Sequence, residues 1–110
     1  MALFRQIIMF DPDAPSPSSP TCRSWLHWLF VDASAAPDSS PIGRNLVPFA
    51  PPAPPPGSGV HRYVIRIYQQ PAQRVPAVAP SSRCGFNVDD WADVHSLQLL
   101  HEQMFKTQRL

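Results

Sequence analysis

Five side chains of this sequence together have the chemistry of a small polar binding site. They are two carboxylates, two imidazoles and a phenol, and they stand in three short segments of the chain. A carboxylate beside an imidazole raises the imidazolium fraction, and an imidazolium with a phenol hydroxyl is a suitable receptor for a phosphate or another anion. The sequence therefore predicts a site for an anionic group, built from Asp11, Asp13, His27, His61 and Tyr63.

Other chemistries compete for the same atoms. Taken alone, the DPDAPS segment at 11–16 has the composition of a turn, and a lone histidine in an apolar strand is more often a hydrogen-bonded core residue. The sequence contains no HxH or HxxxH spacing that would favour a metal site. Nucleophilic catalysis would use Ser16 or Cys22 with His27, but no GxSxG elbow is present. We therefore predict a non-enzymatic protein with no metal and no cofactor.

Three apolar runs are predicted to be the strands that position these residues. The first ends at a proline, which cannot continue a central ladder. In the second, strict alternation places His27 on the same face as Trp25 and Leu29. In the third, His61 and Tyr63 must point the same way. The runs are Leu3–Phe10, Trp25–Val31 and Val60–Gln69.

The other segments are predicted to be mostly loop. Ala33–Gly59 is a long connection whose proline-rich part, Pro48–Pro56, favours a rigid polyproline II rim for the pocket, or else a ligand for aromatic-lined grooves of another protein. A second connection covers Gln70–Gly85. After it, Asn87 is expected to cap a short helix with two aspartates in the first turn. The tail Leu97–Leu110 has apolar residues at helical spacing but no clear cap, so its structure stays open.

Composition narrows the class of protein. The 110 residues suffice for one domain. A net charge of +1 with 15% charged residues does not indicate a basic surface, so we expect no direct DNA binding. Cys22 and Cys84 lie far apart and outside any CxxC spacing, and we predict two free thiols. The apolar N-terminal run is too short for a transmembrane segment and lacks a secretory cleavage pattern. We expect an intracellular protein, cytoplasmic or mitochondrial.

The DPDAPS segment, WLHW at 25–28 and GSGVHRY at 57–63 resemble the ligand-pocket motifs of the phosphatidylethanolamine-binding protein family. The resemblance implies a mostly β fold: an antiparallel β-sandwich with long Pro-rich loops, one or two short helices and a small anion-accepting pocket. It also implies a cis Ala14-Pro15 bond. Matched residue by residue, the family's pocket positions are Asp11, Asp13, His27, His61, Tyr63, Gly57 and Gly59.

The sequence also departs from the family pattern. Cys22 stands where a second pocket tyrosine is expected, and Ala53 where a glycine is often found. The family's upstream strands have no counterpart before the first motif. This implies a single, partial domain over residues 1–110, with an open sheet edge that a protein partner covers.

The sequence therefore predicts a regulatory or scaffold protein whose pocket accepts a phosphate-bearing group, such as a phosphatidylethanolamine head group. The histidines and Tyr63 would hold the anion, while Asp11 and Asp13 would orient the imidazoles or meet an ammonium. An alternative remains, because PFAPPAP at 48–54 also resembles the family member built into the mitochondrial large ribosomal subunit. Its partners would be ribosomal proteins and rRNA.

Overall fold

A computed structural model describes residues 4–34, 42–71, 74–76 and 78–110. These residues form one five-stranded antiparallel sheet in the order β3-β2-β1-β4-β5, with one short helix. The predicted mostly β fold is confirmed, and the second sheet of a sandwich does not occur in the described ranges. None of the described residues belongs to a helix long and apolar enough to cross a membrane. The elements are β1 (Arg5–Asp11), β2 (Trp25–Ser34), β3 (Ile42–Val47), β4 (His61–Gln69), α1 (Val88–Val94) and β5 (Gln98–Thr107).

The hydrophobic core lies on the sheet face that packs against α1. Each aliphatic side chain buried there contributes about 1.5–3 kcal/mol relative to exposure. The helix is joined to β1 by a hydrogen bond from the indole N–H of Trp91 to Oε1 of Gln6, at 2.8 Å. The core residues include Ile8, Phe10, Leu26, Leu29, Val64, Phe86, Val88 and Ala92.

The predicted helix cap is confirmed. Oδ1 of Asn87 accepts a hydrogen bond from the backbone N–H of Asp90 at 3.0 Å, and Asp89 and Asp90 occupy the first turn. One other prediction is wrong. β3 forms inside the segment predicted to be loop, because its backbone pairs with β2 although its own sequence lacks a strand pattern. The tail, whose structure the sequence left open, forms the strand β5, because it pairs with the edge of β4.

A β-bulge at His27 overturns the strict alternation predicted for β2. Met9 pairs with Trp28 but the next residue, Phe10, pairs with Leu26, so His27 is the extra residue of the ladder. Beyond a bulge, the residues of the strand point to the opposite faces from those that alternation predicts, and the side chain of the extra residue points in a new direction. Leu26 and Leu29 therefore both enter the core, whereas alternation had separated them.

The prediction of two free thiols is wrong. Cys22 and Cys84 form a disulfide with a Cα–Cα distance of 4.6 Å, although 62 positions separate them. The backbones of Ser24 and Phe86 exchange two hydrogen bonds, at 3.3 and 2.9 Å, and these bring the loop before β2 against the segment before α1. The large separation of the two cysteines in the sequence was therefore no reason to predict free thiols.

We expect the double substitution Cys22→Ser with Cys84→Ser to lower the free energy of unfolding by about 3–4 kcal/mol. A crosslink that closes a loop of 62 residues restricts the unfolded chain strongly. Urea denaturation of oxidised wild type and the double variant measures the difference. An equal midpoint for the two proteins would contradict the structural importance of the crosslink.

Candidate functional site

The predicted site residues meet at one end of the sheet, on the face opposite α1. Asp11 is the last residue of β1, His27 lies in the bulge of β2, and β4 begins with His61. All five side chains are buried, with His61 and Tyr63 only 1% exposed. Four of them form one cluster, and the fifth, Asp13, is engaged by an arginine beside it.

Asp11, His61 and Ser58 form a line of hydrogen bonds. Nδ1 of His61 donates to Oδ2 of Asp11 at 2.7 Å, and Oγ of Ser58 lies 2.8 Å from Nε2 of the same ring. The other oxygen of Asp11 accepts the backbone N–H of Asp13, at 2.7 Å. Both ring nitrogens of His61 are therefore used, and Ser58 is the group that this line presents outward. Ser58 was not among the predicted residues, although its place in GSG, three before the histidine, is a usable signal.

His27 is held by the proline-rich segment. Its Nδ1 donates to the backbone carbonyl of Ala50 at 2.9 Å, and the N–H of Ala50 donates to the carbonyl of His27 at 2.8 Å. Burial lowers the pKa of His27, despite the opposing effects of the Ala50 carbonyl and of Asp11. The expected rise in imidazolium fraction is thus not found here, because desolvation outweighs the neighbouring carboxylate. The neutral ring leaves the lone pair of Nε2 available to a ligand.

Tyr63 lies at the centre of an aromatic group. Its ring stacks on Phe105 with centroids 5.4 Å apart, and His27 meets it edge-on at 5.3 Å. Burial, then the charge of the nearby Asp11 carboxylate and a hydrogen bond to it, raises the pKa of Tyr63 to about 12. The phenol therefore keeps its proton and can act as a hydrogen-bond donor at neutral pH.

Asp13 is engaged within the protein. Its carboxylate accepts two hydrogen bonds from the guanidinium of Arg62, at 2.9 and 2.8 Å, and one from the backbone N–H of Arg62 at 2.8 Å. The hydrogen bond from the Arg62 side chain, against the opposing effect of burial, lowers the pKa of Asp13. The bonds tie the DPDAPS loop to the start of β4.

The two glycines of GSG are needed for their backbone conformation. Gly57 has φ +73° and Gly59 has φ +106°, a region that side chains with a Cβ rarely adopt. A Cβ on Gly57 would meet nothing within 4 Å, and one on Gly59 would lie 3.5 Å from the ring of Pro17. These positive φ values shape the turn that positions Ser58. Ala14-Pro15 is cis, as the resemblance implied.

The line from Asp11 to Ser58 has the connectivity of a nucleophilic triad, but two of the backbone N–H groups at Ser58 are already used in internal hydrogen bonds. An oxyanion hole commonly uses the backbone N–H of the nucleophile or of a neighbour. The N–H of Ser58 donates to Pro55 and that of Gly57 to Arg109. The nucleophiles considered from sequence are also engaged elsewhere, Cys22 in the disulfide and Ser16 with Ser18. In the described part of the chain, no group of three or more His, Cys, Asp or Glu side chains could hold a metal ion.

A groove adjoins the buried cluster. It has a volume of about 650 Å³ and lies between Pro52–Pro54 and the end of the chain from Phe105 to Arg109. Phe105 contacts Tyr63 on one side and lines this groove on the other. The proline-rich segment, which the sequence predicts to be a rim of the pocket, forms one side of this groove. Phe105 and Ala50 had no signal in the sequence, since one is a tail residue and the other acts through its backbone.

Comparison with known proteins gives one consistent result. The family model described as phosphatidylethanolamine-binding protein matches residues 6–105. Protein BROTHER of FT and TFL 1 from Arabidopsis thaliana is 38% identical over 94 residues, which are 86% of this chain and 51% of the relative. MOTHER of FT and TFL1 homolog 2 from Oryza sativa subsp. japonica is 41% identical over 95 residues, 84% of this chain and 53% of the relative. The chain thus spans about half the length of these relatives.

Solved structures show the same fold. Carboxypeptidase Y inhibitor, in a crystal structure with its cognate proteinase, matches 98% of this chain and 61% of its own with a TM-score of 0.86 and 26% identity. The phosphatidylethanolamine-binding protein from Plasmodium vivax matches 97% of this chain and 65% of its own, with a TM-score of 0.77 and 18% identity. The second likeness supports the fold alone.

We expect Asp13→Asn to lower the free energy of unfolding by about 1–2 kcal/mol at neutral pH, since a charge-assisted pair with half-exposed Arg62 is lost. The pKa of Asp13 is lowered on folding, so its contribution is complete above the ordinary value of about 3.9 and is lost as the pH falls through the folded value. The gap between wild type and variant should therefore close in acid. Urea titrations at several pH values measure it, with exposed Asp93→Asn as control. A gap independent of pH would refute the assignment.

Proposed function

Because this chain belongs to the phosphatidylethanolamine-binding protein family, we propose that it is a non-enzymatic binding protein whose polar site accepts a phosphate-bearing or otherwise anionic group. One observation carries the proposal. The protonated phenol of Tyr63, the hydroxyl of Ser58 and Nε2 of His27, which has no hydrogen-bond partner among the described residues, belong to one cluster at the end of the sheet. A phenol hydroxyl and an imidazole can each hydrogen-bond a phosphate oxygen, and the oxygen of Ser58 can accept the P–O–H of a phosphate monoanion.

Of the two roles predicted for the carboxylates, orienting the imidazoles and meeting an ammonium, the hydrogen bonds support the first. Both oxygens of Asp11 already accept hydrogen bonds, and the carboxylate of Asp13 is paired with Arg62. We therefore assign Asp11 to orienting His61, and Asp13 to fixing the loop that leads to the site. The ligand is then recognised by its phosphate rather than by its amine.

The protonation state of His27 determines which protonation state of a phosphate it can bind. In the free protein its Nε2 is an acceptor, because Nδ1 carries the proton that the Ala50 carbonyl accepts. A phosphate monoanion can donate its P–O–H to that lone pair, whereas a dianion requires the imidazolium form. In both cases one proton lies between the ring and the phosphate in the complex.

The proposal also includes a regulatory action through contacts with another protein. Carboxypeptidase Y inhibitor, whose solved chain is 26% identical, is found in complex with its cognate proteinase. None of the relatives named above is a ribosomal component, so no observation favours the ribosomal alternative. A cytoplasmic or mitochondrial location stays a prediction, and it now has to accommodate a disulfide, which persists mainly in oxidising compartments.

Tyr63→Phe tests the site with the smallest possible change. It removes one hydroxyl and keeps the ring that packs between His27 and Phe105. We expect the affinity for phosphoethanolamine, measured by isothermal titration calorimetry, to fall about tenfold to a hundredfold, the value of one hydrogen bond to a charged group.

Tyr68→Phe is the matched control. Tyr68 is a buried tyrosine on the same strand, but its hydroxyl accepts from Arg66, away from the site. The control should bind phosphoethanolamine as the wild type does. In the wild type, inorganic phosphate should compete with phosphoethanolamine for binding, and ethanolamine should not. Equal affinity in Tyr63→Phe and wild type, or competition by ethanolamine alone, would refute the proposal.

A further inference from the structure

β5 is an edge strand with unusual exposure. All but the last of its ten residues are exposed, and its apolar side chains Leu99, Leu100, Met104 and Phe105 are 40–50% exposed. The opposite edge, β3, has six residues and two register shifts, which are devices that blunt an edge. β5 is longer, and from His101 to Thr107 its register with β4 is regular. Such an edge is a template for another strand.

The backbone groups that point out of this edge can be identified. The N–H of Arg62 donates to Asp13, on the β1 side of β4, so Arg62 faces away from β5. Backbone groups alternate in direction along a strand, hence His61 and Tyr63 face β5. Their partners Thr107 and Phe105 then bond to β4. The residues between and next to them, Glu102, Met104 and Lys106, direct their N–H and C=O groups outward.

A second copy of this chain fits that pattern in one register. In an antiparallel pair centred on Met104, Met104 lies opposite Met104 of the second copy and all three outward residues face one another. Glu102 then lies opposite Lys106, twice in the dimer because the contact is two-fold symmetric. A shift of two residues either way leaves one outward residue without its partner. A centre on Glu102 or Lys106 would instead bring like charges together.

The charges favour the same register. In one copy Lys106 pairs across the ladder with Arg62, a cation, and no ion pair of Lys106 occurs in the described part of the chain. Glu102 is bound by Arg66 through Oε1 only, at 2.6 Å, which leaves its second oxygen for a further cation. Each copy thus supplies the charge that the other lacks.

We propose that two copies of this chain pair through their β5 edges in antiparallel register about Met104, with Glu102 of each opposite Lys106 of the other. The joined sheet has ten strands. This association is independent of the phosphate site, since it uses the outward backbone of β5.

Two charge reversals test the register. In Lys106→Glu, Glu102 meets an introduced carboxylate at both contacts, and in Glu102→Lys, Lys106 meets an introduced ammonium. Sedimentation velocity over a range of concentrations should show a wild-type dimer whose dissociation constant rises at least about tenfold in either variant. Arg5→Glu and Asp93→Lys make the same changes of charge at exposed positions away from β5 and should dimerise as the wild type does.

Mixing the two variants gives the decisive result. Lys106→Glu carries two acidic residues and Glu102→Lys two basic ones, so every cross-strand pair is complementary only in the mixed dimer. The mixture should recover dimer at wild-type strength, which a folding defect of either variant would prevent. A wild type that stays monomeric at all concentrations overturns the proposal. So does a dimer that survives both reversals, or a mixture that does not recover.

Discussion

The buried carboxylate of Asp11 is the constraint on which the site depends. It ends β1, accepts the N–H of Asp13 at the start of the loop, and accepts the ring N–H of His61 at the start of β4. A charge 2% exposed is stable only if its oxygens are satisfied, because desolvation is costly. The loop, β1 and β4 must therefore adopt one relative arrangement. That arrangement places Tyr63 and Ser58 where a ligand can meet them.

The pattern of apolar residues was sufficient to predict the features that depend on local sequence. Three strands, the common face of His61 and Tyr63, and the Asn87 cap follow from local chemistry that the tertiary structure does not override. The candidate residues could be chosen because five such groups stand together in three short segments that resemble the family's pocket motifs, although each one alone has an ordinary structural explanation. Their convergence follows from the antiparallel order, in which the end of β1 lies beside the start of β4.

The remaining features depend on contacts between distant residues. The bulge at His27 arises from pairing with β1, and alternation within β2 carries no trace of it. The disulfide depends on two loops meeting, and β5 is a strand only because β4 has an open side. The bulge has the largest consequence for function, because it places His27 against Tyr63 rather than on the face of Leu29.

Burial determines the charge state of the site as well as its shape. It raises the pKa of Tyr63 to about 12 and lowers that of His27, so both groups are neutral in the free protein at neutral pH. A site in which Tyr63 and His27 are both neutral does not attract every anion equally. It favours a ligand that brings its own proton or exchanges one with His27, and phosphate esters, which titrate near pH 6, are suited to this. Under the proposed function, this charge state favours a phosphate ester over a permanently ionised anion such as sulfate.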